Sequence, residues 1–316
     1  MAAASSDSDR DAHADEHPGH DAPDSALWRR VLAATAHARD RGALAPIATV
    51  CHQVEQGGIG FAVRLAEGLE RKIVTTEVRR QHHIDPFLPY EEDLFVDMLS
   101  PTHVCLLNKF NVLDHHLLVV TRDYEDQDEP LTLADFEALW ACMVEIDGLG
   151  FYNGGEVGGA SQRHKHFQLV PGSLGPPGPA RAGTEPVPIM PAIRAARFHG
   201  ALGTSDMLPF AHAIAELHAP LEPRARAREG LDAYHALRRA LQIDQSDPYN
   251  LLITRAWMLL VPRARERWGR VSVNGLGFAG ALLVRSQAEM IELERQGPMT
   301  VLQSVAMPPM GLLPAE

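Results

Sequence analysis

Two histidines and a glutamine occupy every second position of the segment His164-Lys165-His166-Phe167-Gln168. Successive side chains of a β-strand point to opposite faces, so His164, His166 and Gln168 would share one face. A neutral imidazole is a good nucleophile toward phosphorus, and its ordinary pKa of about 6.5 leaves it mostly unprotonated at neutral pH. We therefore predict that His166 is a covalent catalyst that attacks the α-phosphorus of a nucleotide.

A glycine-rich turn, Gly158-Gly159-Ala160-Ser161-Gln162, comes shortly before these histidines. Small residues let backbone N–H groups approach an anion closely, so residues 159 to 162 are predicted to hold phosphate. The cations expected to assist, together with a bound Mg²⁺, are Lys109, Arg163 and Lys165. Lys165 lies on the opposite face of the strand, where a solvated charge is the alternative interpretation. The carboxamide of Gln168 can donate to a non-bridging oxygen.

Other polar residues receive structural interpretations. Histidines near strands are more often packed and satisfied than catalytic, and this is expected of His103, His115 and His116, with support of the site as the alternative for His116. The arginine run at 263–267 with Arg270 is interpreted as a solvated face, with phosphate contact as the alternative.

The composition limits the class of protein. The chain has 316 residues, 45% of them hydrophobic, and a formal net charge of −12. Such a charge argues against sequence-independent nucleic-acid binding, which needs a basic face. The three cysteines form no closely spaced pair, so we expect no disulfide framework, no thiolate zinc site and a cytoplasmic protein. Neither a signal sequence nor a membrane anchor is expected.

The chain is predicted to have four parts. Residues 1–25 form a disordered tail, 26–172 a catalytic region, 173–208 a Pro/Gly-rich linker or long loop, and 209–316 a C-terminal region.

Hydrophobic patterning predicts an α+β fold, with an antiparallel sheet that carries helices on one side. Strands are expected at 58–65, 103–110, 116–121, 151–153, 164–170, 249–254, 257–261 and 281–284. Helices are expected at 27–41, from Thr132 to before Gly148, at 209–218, at 224–241 and from Ser286 to Gly297.

Several motifs, in consistent order over roughly 80–172 and 247–290, resemble one known family. They are Asn108-Lys109-Phe110, Phe151-Tyr152-Asn153, Gly159-Ala160-Ser161-Gln162, His164-x-His166-x-Gln168, and Val273 to Gly280 followed by Leu282-Leu283-Val284. The family is the ATP adenylyltransferases, or diadenosine tetraphosphate (Ap4A) phosphorylases, of the histidine-triad (HIT) superfamily.

The resemblance implies a HIT-like antiparallel sheet with flanking helices, extended by a C-terminal segment that completes the nucleotide site. It implies reversible phosphorolysis of Ap4A by phosphate to ATP and ADP. His166 would be the nucleophile, flanked by His164 and Gln168. No tightly bound cofactor and no protein metal site are implied, although Mg²⁺ is expected with the nucleotide.

The resemblance also implies a set of substrate-binding residues. They are Asn108, Lys109, Asn153, Gly159, Ala160, Ser161, Gln162, Asn274, Gly275, Leu276, Ala281 and Arg285. The family pattern has Met where Ala281 stands, Lys where Arg285 stands, and Asn-Pro-Phe where this chain has Asp85-Pro86-Phe87. Adenine packing or dinucleotide preference could differ accordingly.

Gln168 separates this chain from the hydrolase branch of the superfamily, in which a third histidine occupies that position. We therefore expect phosphate or a nucleotide phosphate, rather than water, to accept the adenylyl group. Two alternatives remain: a hexose-1-phosphate uridylyltransferase, whose relatives often carry cysteine zinc ligands that Cys51 alone does not supply, and a non-catalytic nucleotide sensor.

Overall fold

The computed structural model describes residues 25–66, 85–176 and 185–312. The predicted tail lies outside these ranges apart from Ser25. The helices are α1 (Ala26–Asp40), α2 (Leu133–Met143), α3 (Met190–Arg194), α4 (Pro223–Ala240), α5 (Gly275–Phe278), α6 (Gln287–Gln296) and α7 (Pro298–Val305), with a 3₁₀ turn at Glu92–Leu94. None of the helices in these ranges is long and apolar enough to cross a bilayer.

Fifteen strands run through the same ranges. They are β1 (Thr49–Gln56), β2 (Ile59–Ala66), β3 (Phe95–Met98), β4 (His103–Leu107), β5 (Leu117–Thr121), β6 (Gly148–Gly154), β7 (His166–Pro171), β8 (Arg197–His199), β9 (Leu202–Thr204), β10 (Ala213–Glu216), β11 (Tyr249–Ile253), β12 (Trp257–Pro262), β13 (Arg267–Trp268), β14 (Val271–Ser272) and β15 (Ala281–Val284).

Ten strands form one antiparallel sheet in the order β3-β4-β5-β7-β6-β11-β12-β10-β9-β8. Strand β6 pairs with β11 from Gly154↔Tyr249 to Gly150↔Ile253, so the N-terminal and C-terminal halves of the chain share this sheet. The central strands are almost continuously apolar, as expected for strands covered on both faces. The prediction of an α+β fold with a large antiparallel sheet and flanking helices is confirmed.

Two large hydrophobic cores lie on the two faces of the large sheet, and a third, smaller cluster contains Phe87, Val104, Leu106, Leu118 and Val120. Residues that alternate along β11 divide between the two large cores, with Leu251 in one core and Leu252 in the other. Helices α1, α2 and α4 cover the first face. The second face is covered by α6, α7 and a small sheet of order β1-β2-β15, in which β15 runs parallel to β2. Helices therefore lie on both faces, and the prediction of helices on one side is wrong. The C-terminal segment thus packs directly against the N-terminal hairpin.

The structure corrects two local predictions. The segment 209–218 is not a helix: it contains β10, whose Ala213, Ile214 and Ala215 are buried and whose backbone pairs with β12. The segment 173–208 is not wholly a linker, since it contains α3, β8 and β9; apolar residues such as Ile189 fasten it to the second core. Residues 177–184 of that segment lie outside the described ranges.

The helix that begins after Thr132 forms as predicted, with a reciprocal capping box between Thr132 and Asp135. Met143 ends it, earlier than the glycine that was expected to do so. Ser286 caps α6 as predicted by accepting from the backbone N–H of Glu289. The Glu289 carboxylate accepts from the N–H of Arg285 and not from that of Ser286, so this cap is not reciprocal.

Candidate active site

The two histidines of the motif lie at the beginning of β7. The strand starts at His166, and His164 makes an isolated bridge to Asp126. The ring of Phe87 contacts both imidazoles, with centroid distances of 5.6 Å to His164 and 5.4 Å to His166. The two histidines therefore share one side of the chain, which is the arrangement that the alternating spacing predicts.

The tautomer of His166 follows from one hydrogen bond. Its Nδ1 lies 2.7 Å from the backbone carbonyl oxygen of His164, which can only accept, so Nδ1 carries the proton. Burial lowers the pKa of His166 to about 4, which keeps the ring neutral at physiological pH. The lone pair is consequently on Nε2, an atom that makes no hydrogen bond within the described residues. This nitrogen is ready to attack an electrophile.

His164 is engaged at both ring nitrogens. Nδ1 lies 2.8 Å from a carboxylate oxygen of Asp85, and Nε2 lies 2.8 Å from the carbonyl oxygen of Thr121. Only 1% of its surface is exposed. With both nitrogens occupied, His164 is a support for the site and His166 is the candidate nucleophile.

His116 differs from the packed and satisfied residue that was expected. Asn108 accepts from the N–H of Phe110 through Oδ1, so its Nδ2 is the atom that faces His116 Nδ1, at 3.3 Å. Burial lowers the pKa of His116 to about 4; the ring is neutral, and its proton lies on Nε2 because Nδ1 accepts. Among the described residues, that buried Nε2–H has no acceptor within hydrogen-bond distance, although the carboxamide of Gln168 is near enough to raise the pKa of His116 against the effect of burial. This N–H group can therefore donate a hydrogen bond to a ligand.

The glycine-rich turn offers fewer donors than the sequence suggested. The N–H of Gly159 donates to Glu156 O at 2.9 Å and that of Ala160 to Gly155 O at 3.2 Å, so both are used inside the turn. The N–H groups of Ser161 and Gln162 have no acceptor within the described residues. Two donors, rather than four, are open to a phosphate.

Only glycine fits at position 159. Its φ is +90°, and a Cβ there would come within 2.8 Å of the carbonyl oxygen of Val273 and of the Cβ of Asn274. This close approach brings the turn against the C-terminal segment, as the combined motifs of the two halves imply.

A series of hydrogen bonds between buried polar side chains holds the glycine-rich turn in place. Asn153 Oδ1 accepts from Asn250 Nδ2 at 2.8 Å and from the N–H of Gly275 at 2.9 Å, while the same Asn250 Nδ2 donates to Gly158 O. Arg263 donates to Asn250 Oδ1 at 2.6 Å. Arg263 is only 2% exposed, so the solvated-face interpretation is wrong for this residue. Burial lowers its pKa to about 10, which still leaves it charged at neutral pH.

Lys109 and Arg163 are both near the site and both paired. Lys109 Nζ lies 2.6 Å and 2.7 Å from the two carboxylate oxygens of Glu91. Arg163 is exposed and contacts Asp126 at 2.7 Å. Either cation has to loosen these pairs before it can meet a phosphate.

Lys165 does not face the site. Its Nζ is buried among Glu125 Oε2 at 2.9 Å, Asp135 Oδ2 at 3.1 Å and the carbonyl oxygen of Pro130 at 2.9 Å. Asp135 in turn contacts His103 at 3.1 Å. The expectation of a solvated charge is wrong because acidic residues from distant segments close over the ammonium group.

The predicted C-terminal residues fall into two places. Asn274 caps α5 by accepting from the N–H of Leu276, and Gly275 is tied to Asn153, so these residues adjoin the glycine-rich turn. Ala281 opens β15 and Arg285 follows it, on the small sheet. No hydrogen bond between described residues joins Ala281 or Arg285 to the histidines.

Several residues around the site were not anticipated from the sequence. Three of them, Gln127, Thr121 and Asn250, are buried polar residues that contact backbone or side chains of the site. Each lies in a segment with no recognisable motif, so pattern analysis had no signal to detect it.

Comparisons with known proteins agree with the geometry. The model of the Ap4A phosphorylase N-terminal domain matches residues 18–195, and that of the ATP adenylyltransferase C-terminal domain matches residues 206–308. Among relatives, diadenosine 5',5'''-P1,P4-tetraphosphate phosphorylase 2 of Saccharomyces cerevisiae is 27% identical over 241 residues, covering 66% of this chain and 71% of that protein. Protein APA1 of the same yeast is 25% identical over 232 residues, covering 64% and 69%.

Solved structures show the same fold. The crystal structure of yeast Ap4A phosphorylase Apa2 in complex with Ap4A matches with a TM-score of 0.75 at 22% identity, covering 92% of this chain and all of that one. The complex of Apa2 with AMP matches with a TM-score of 0.73, also at 22% identity, covering 91% and 98%. Because the N-terminal family model spans more than half of the residues, the chain belongs to the Ap4A phosphorylase family.

Proposed function

We propose that this protein is a nucleotidyltransferase that phosphorolyses Ap4A with inorganic phosphate, reversibly, to ATP and ADP through an adenylyl-His166 intermediate. Membership in the Ap4A phosphorylase family supports the overall reaction. The observation that carries the covalent step is the ring of His166, whose Nδ1–H is held by His164 O and whose Nε2 is unprotonated and unbonded.

The first displacement forms one bond and breaks one. The Nε2 lone pair of His166 attacks the α-phosphorus of Ap4A, and the bond from that phosphorus to its bridging oxygen breaks, so ATP leaves with the electron pair. The adenylylated ring gains positive charge, which the Nδ1–H bond to His164 O stabilises.

The second displacement restores the ring. An oxygen of inorganic phosphate attacks the same phosphorus, the N–P bond breaks, and its electrons return to Nε2 as ADP forms. No proton has to be removed from His166 in either step, because Nε2 begins and ends without one.

Charge on the reacting phosphate is met by open donors. The proposed donors are the Nε2–H of His116 and the N–H groups of Ser161 and Gln162, none of which has a close acceptor among the described residues. The carboxamide of Gln168, which interacts with His116, is proposed to assist them. Mg²⁺ would arrive with the polyphosphate as part of the substrate. The three free cysteines suit a protein that works in the reducing cytoplasm.

The rest of the substrate is assigned by family resemblance. Asn274, Leu276, Ala281 and Arg285 are proposed to contact the nucleotide, with Lys109 and Asn108 beside the phosphates. Asn108 contacts His116, and Asn153 accepts from the N–H of Gly275, so we propose that Asn108 orients His116 and that Asn153 and Gly275 shape the turn. The smaller Ala281 leaves more room than the methionine of the family pattern.

The identity of the second acceptor can be tested with labelled phosphate. Incubation of the protein with Ap4A and ³²P-phosphate should place the label in ADP, as its β-phosphate. Release of unlabelled AMP together with ATP would mean that water is the acceptor and that the protein is a hydrolase.

A further inference from the structure

The pairing between β6 and β7 stops beside the nucleophile. It runs in register from Gly148↔Pro171 to Phe151↔Gln168. Two further steps in the same register would pair Asn153 with His166. That pair does not form, so the two strands separate where one carries the nucleophile and the other leads into the glycine-rich turn.

The carboxamide of Gln127 fills the gap between these strands. Its Oε1 accepts from the N–H of His166 at 2.8 Å, and its Nε2 donates to Asn153 O at 2.9 Å and to His166 O at 3.3 Å. The side chain thus offers His166 both an acceptor and a donor, as the peptide of a neighbouring strand would. Only 2% of Gln127 is exposed.

The main chain of Gln127 is fixed on both sides. Its N–H donates to Arg163 O at 2.6 Å, and its carbonyl oxygen accepts from the hydroxyl of Tyr152 at 2.6 Å. The N–H of Lys165 donates to Glu125 O at 2.9 Å, a second backbone bond between the segments 125–127 and 163–165. The amide is therefore a rigid spacer, since its backbone cannot shift without breaking these bonds.

We infer that Gln127 is a positioning residue for His166, and that it sets both the direction of Nε2 and the width of the gap between His166 and Asn153. The ring of His166 is oriented by a hydrogen bond to the backbone of His164, so its direction follows the backbone that Gln127 holds. Gln127 does not touch the reacting atoms. The inference rests on the proposed function, because it concerns the rate at which His166 is adenylylated.

The test replaces Gln127 by Met, which has a similar shape and neither hydrogen-bonding group. The matched control is His212→Met: His212 Nε2 accepts from the buried N–H of Ser205 at 2.9 Å, far along the chain from the histidine motif. Each variant leaves one buried backbone N–H without its side-chain acceptor. Rapid-quench measurement of ATP release from Ap4A without phosphate reports the adenylylation rate, and urea unfolding reports stability.

Gln127→Met should lower the adenylylation rate about 10²-fold, the loss typical of a displacement of about 1 Å at a reacting group, with a much smaller change in KM. The control should lose stability without losing this rate. Equal adenylylation rates for Gln127→Met and the control would overturn the inference. A wild-type protein that releases no ATP would instead overturn the proposed function.

Gln127→Glu gives a second test that does not depend on the stability of the Met variant. A protonated carboxyl group supplies the acceptor and one of the two donors of the amide, whereas a carboxylate has no donor and would face the carbonyl oxygens of Asn153 and His166. Burial raises the pKa of a carboxyl group, so protonation is accessible at mildly acidic pH. The rate of this variant relative to wild type should rise as pH falls. A constant ratio across pH would contradict the positioning role.

Discussion

The two sides of the chain at the start of β7 are both polar and both buried, yet their hydrogen-bonding states differ. On one side, Lys165 is surrounded by Asp135, Glu125 and the carbonyl of Pro130. On the other, neither Nε2 of His166, whose ring bonds through Nδ1, nor Nε2 of His116 has a close hydrogen-bond partner among the described residues. The completed network holds the strand in place, and the incomplete one is available to a substrate.

The comparison is informative because a buried donor without a partner costs about 1–3 kcal/mol. At His116 a bound phosphate can supply the missing partner. The hydrogen-bonding state of the ring is therefore more informative here than the residue type, since imidazoles occur in both settings. His103 contacts Asp135, whereas His116 Nε2 has no close acceptor among the described residues.

The largest expected effect is a loss of stability at Lys165, on the side of the chain where the hydrogen bonds are complete. Lys165→Met should lower the free energy of unfolding by about 3–5 kcal/mol, because it leaves the buried carboxylate of Asp135 without its ammonium partner. Denaturant unfolding measures this change. The adenylylation rate of the molecules that remain folded should change much less. A loss of rate with unchanged stability would place Lys165 in the catalytic machinery and remove the contrast between the two sides.

The opposite pattern is expected for His116→Phe. The substitution keeps an aromatic ring but removes the unpartnered Nε2–H, so kcat/KM for Ap4A should fall about 10²- to 10³-fold, as when one oxyanion donor is lost. Stability should fall by no more than about 1 kcal/mol, because Nε2 has no close hydrogen bond to lose and the bond that does break, from Asn108 Nδ2 to His116 Nδ1, is long at 3.3 Å. Steady-state kinetics and denaturant unfolding of the same preparation measure both effects. Full activity would show that this donor does not meet the phosphate.

The pH dependence of the first half-reaction tests whether His166 is neutral in the buried site. Burial lowers the pKa of His166 to about 4, so its neutral, nucleophilic form persists as pH falls, and protonation removes it only near that value. The adenylylation rate with Ap4A should be nearly constant between about pH 7.5 and about pH 5.5. Ap4A suits this measurement because it has no terminal phosphate that titrates near neutrality. A rate that declines with a midpoint near the ordinary histidine pKa of about 6.5 would contradict the assignment.

The smallest effect is expected at Arg163, which is exposed and paired with Asp126. Arg163→Gln should change stability by no more than about 0.5 kcal/mol, as for most surface substitutions. KM for Ap4A should rise slightly, and less at high salt, where exposed charges are screened. A large fall in kcat would show that Arg163 exchanges its carboxylate partner for the substrate.

Alternation in the sequence predicted much of the site. The spacing of His164 and His166 requires a shared side, the small residues before them require a tight turn, and the apolar runs require buried strands. These features depend on near neighbours in the chain, which is why the sequence displays them.

The remaining features depend on distant segments. From the sequence Lys165 is expected to be solvated, but in the structure Glu125 and Asp135 surround it. Arg263 is likewise expected to be exposed, but Asn250 and the glycine-rich turn pack around it. The segment 209–218 has helical spacing but pairs with β12, because tertiary contacts outweigh local propensity. Gln127 gave no signal at all, since its role comes from the place where two strands separate.

The measurement that tests the central claim most directly is the trapping of the intermediate. The protein is incubated with Ap4A labelled at the α-phosphates, quenched in base, and analysed for protein-bound label. We predict an acid-labile, base-stable adduct that is absent in His166→Ala, whose fold should remain intact by circular dichroism. An adduct of the same yield in His166→Ala, or turnover by the wild type with no trapped label, would contradict the account.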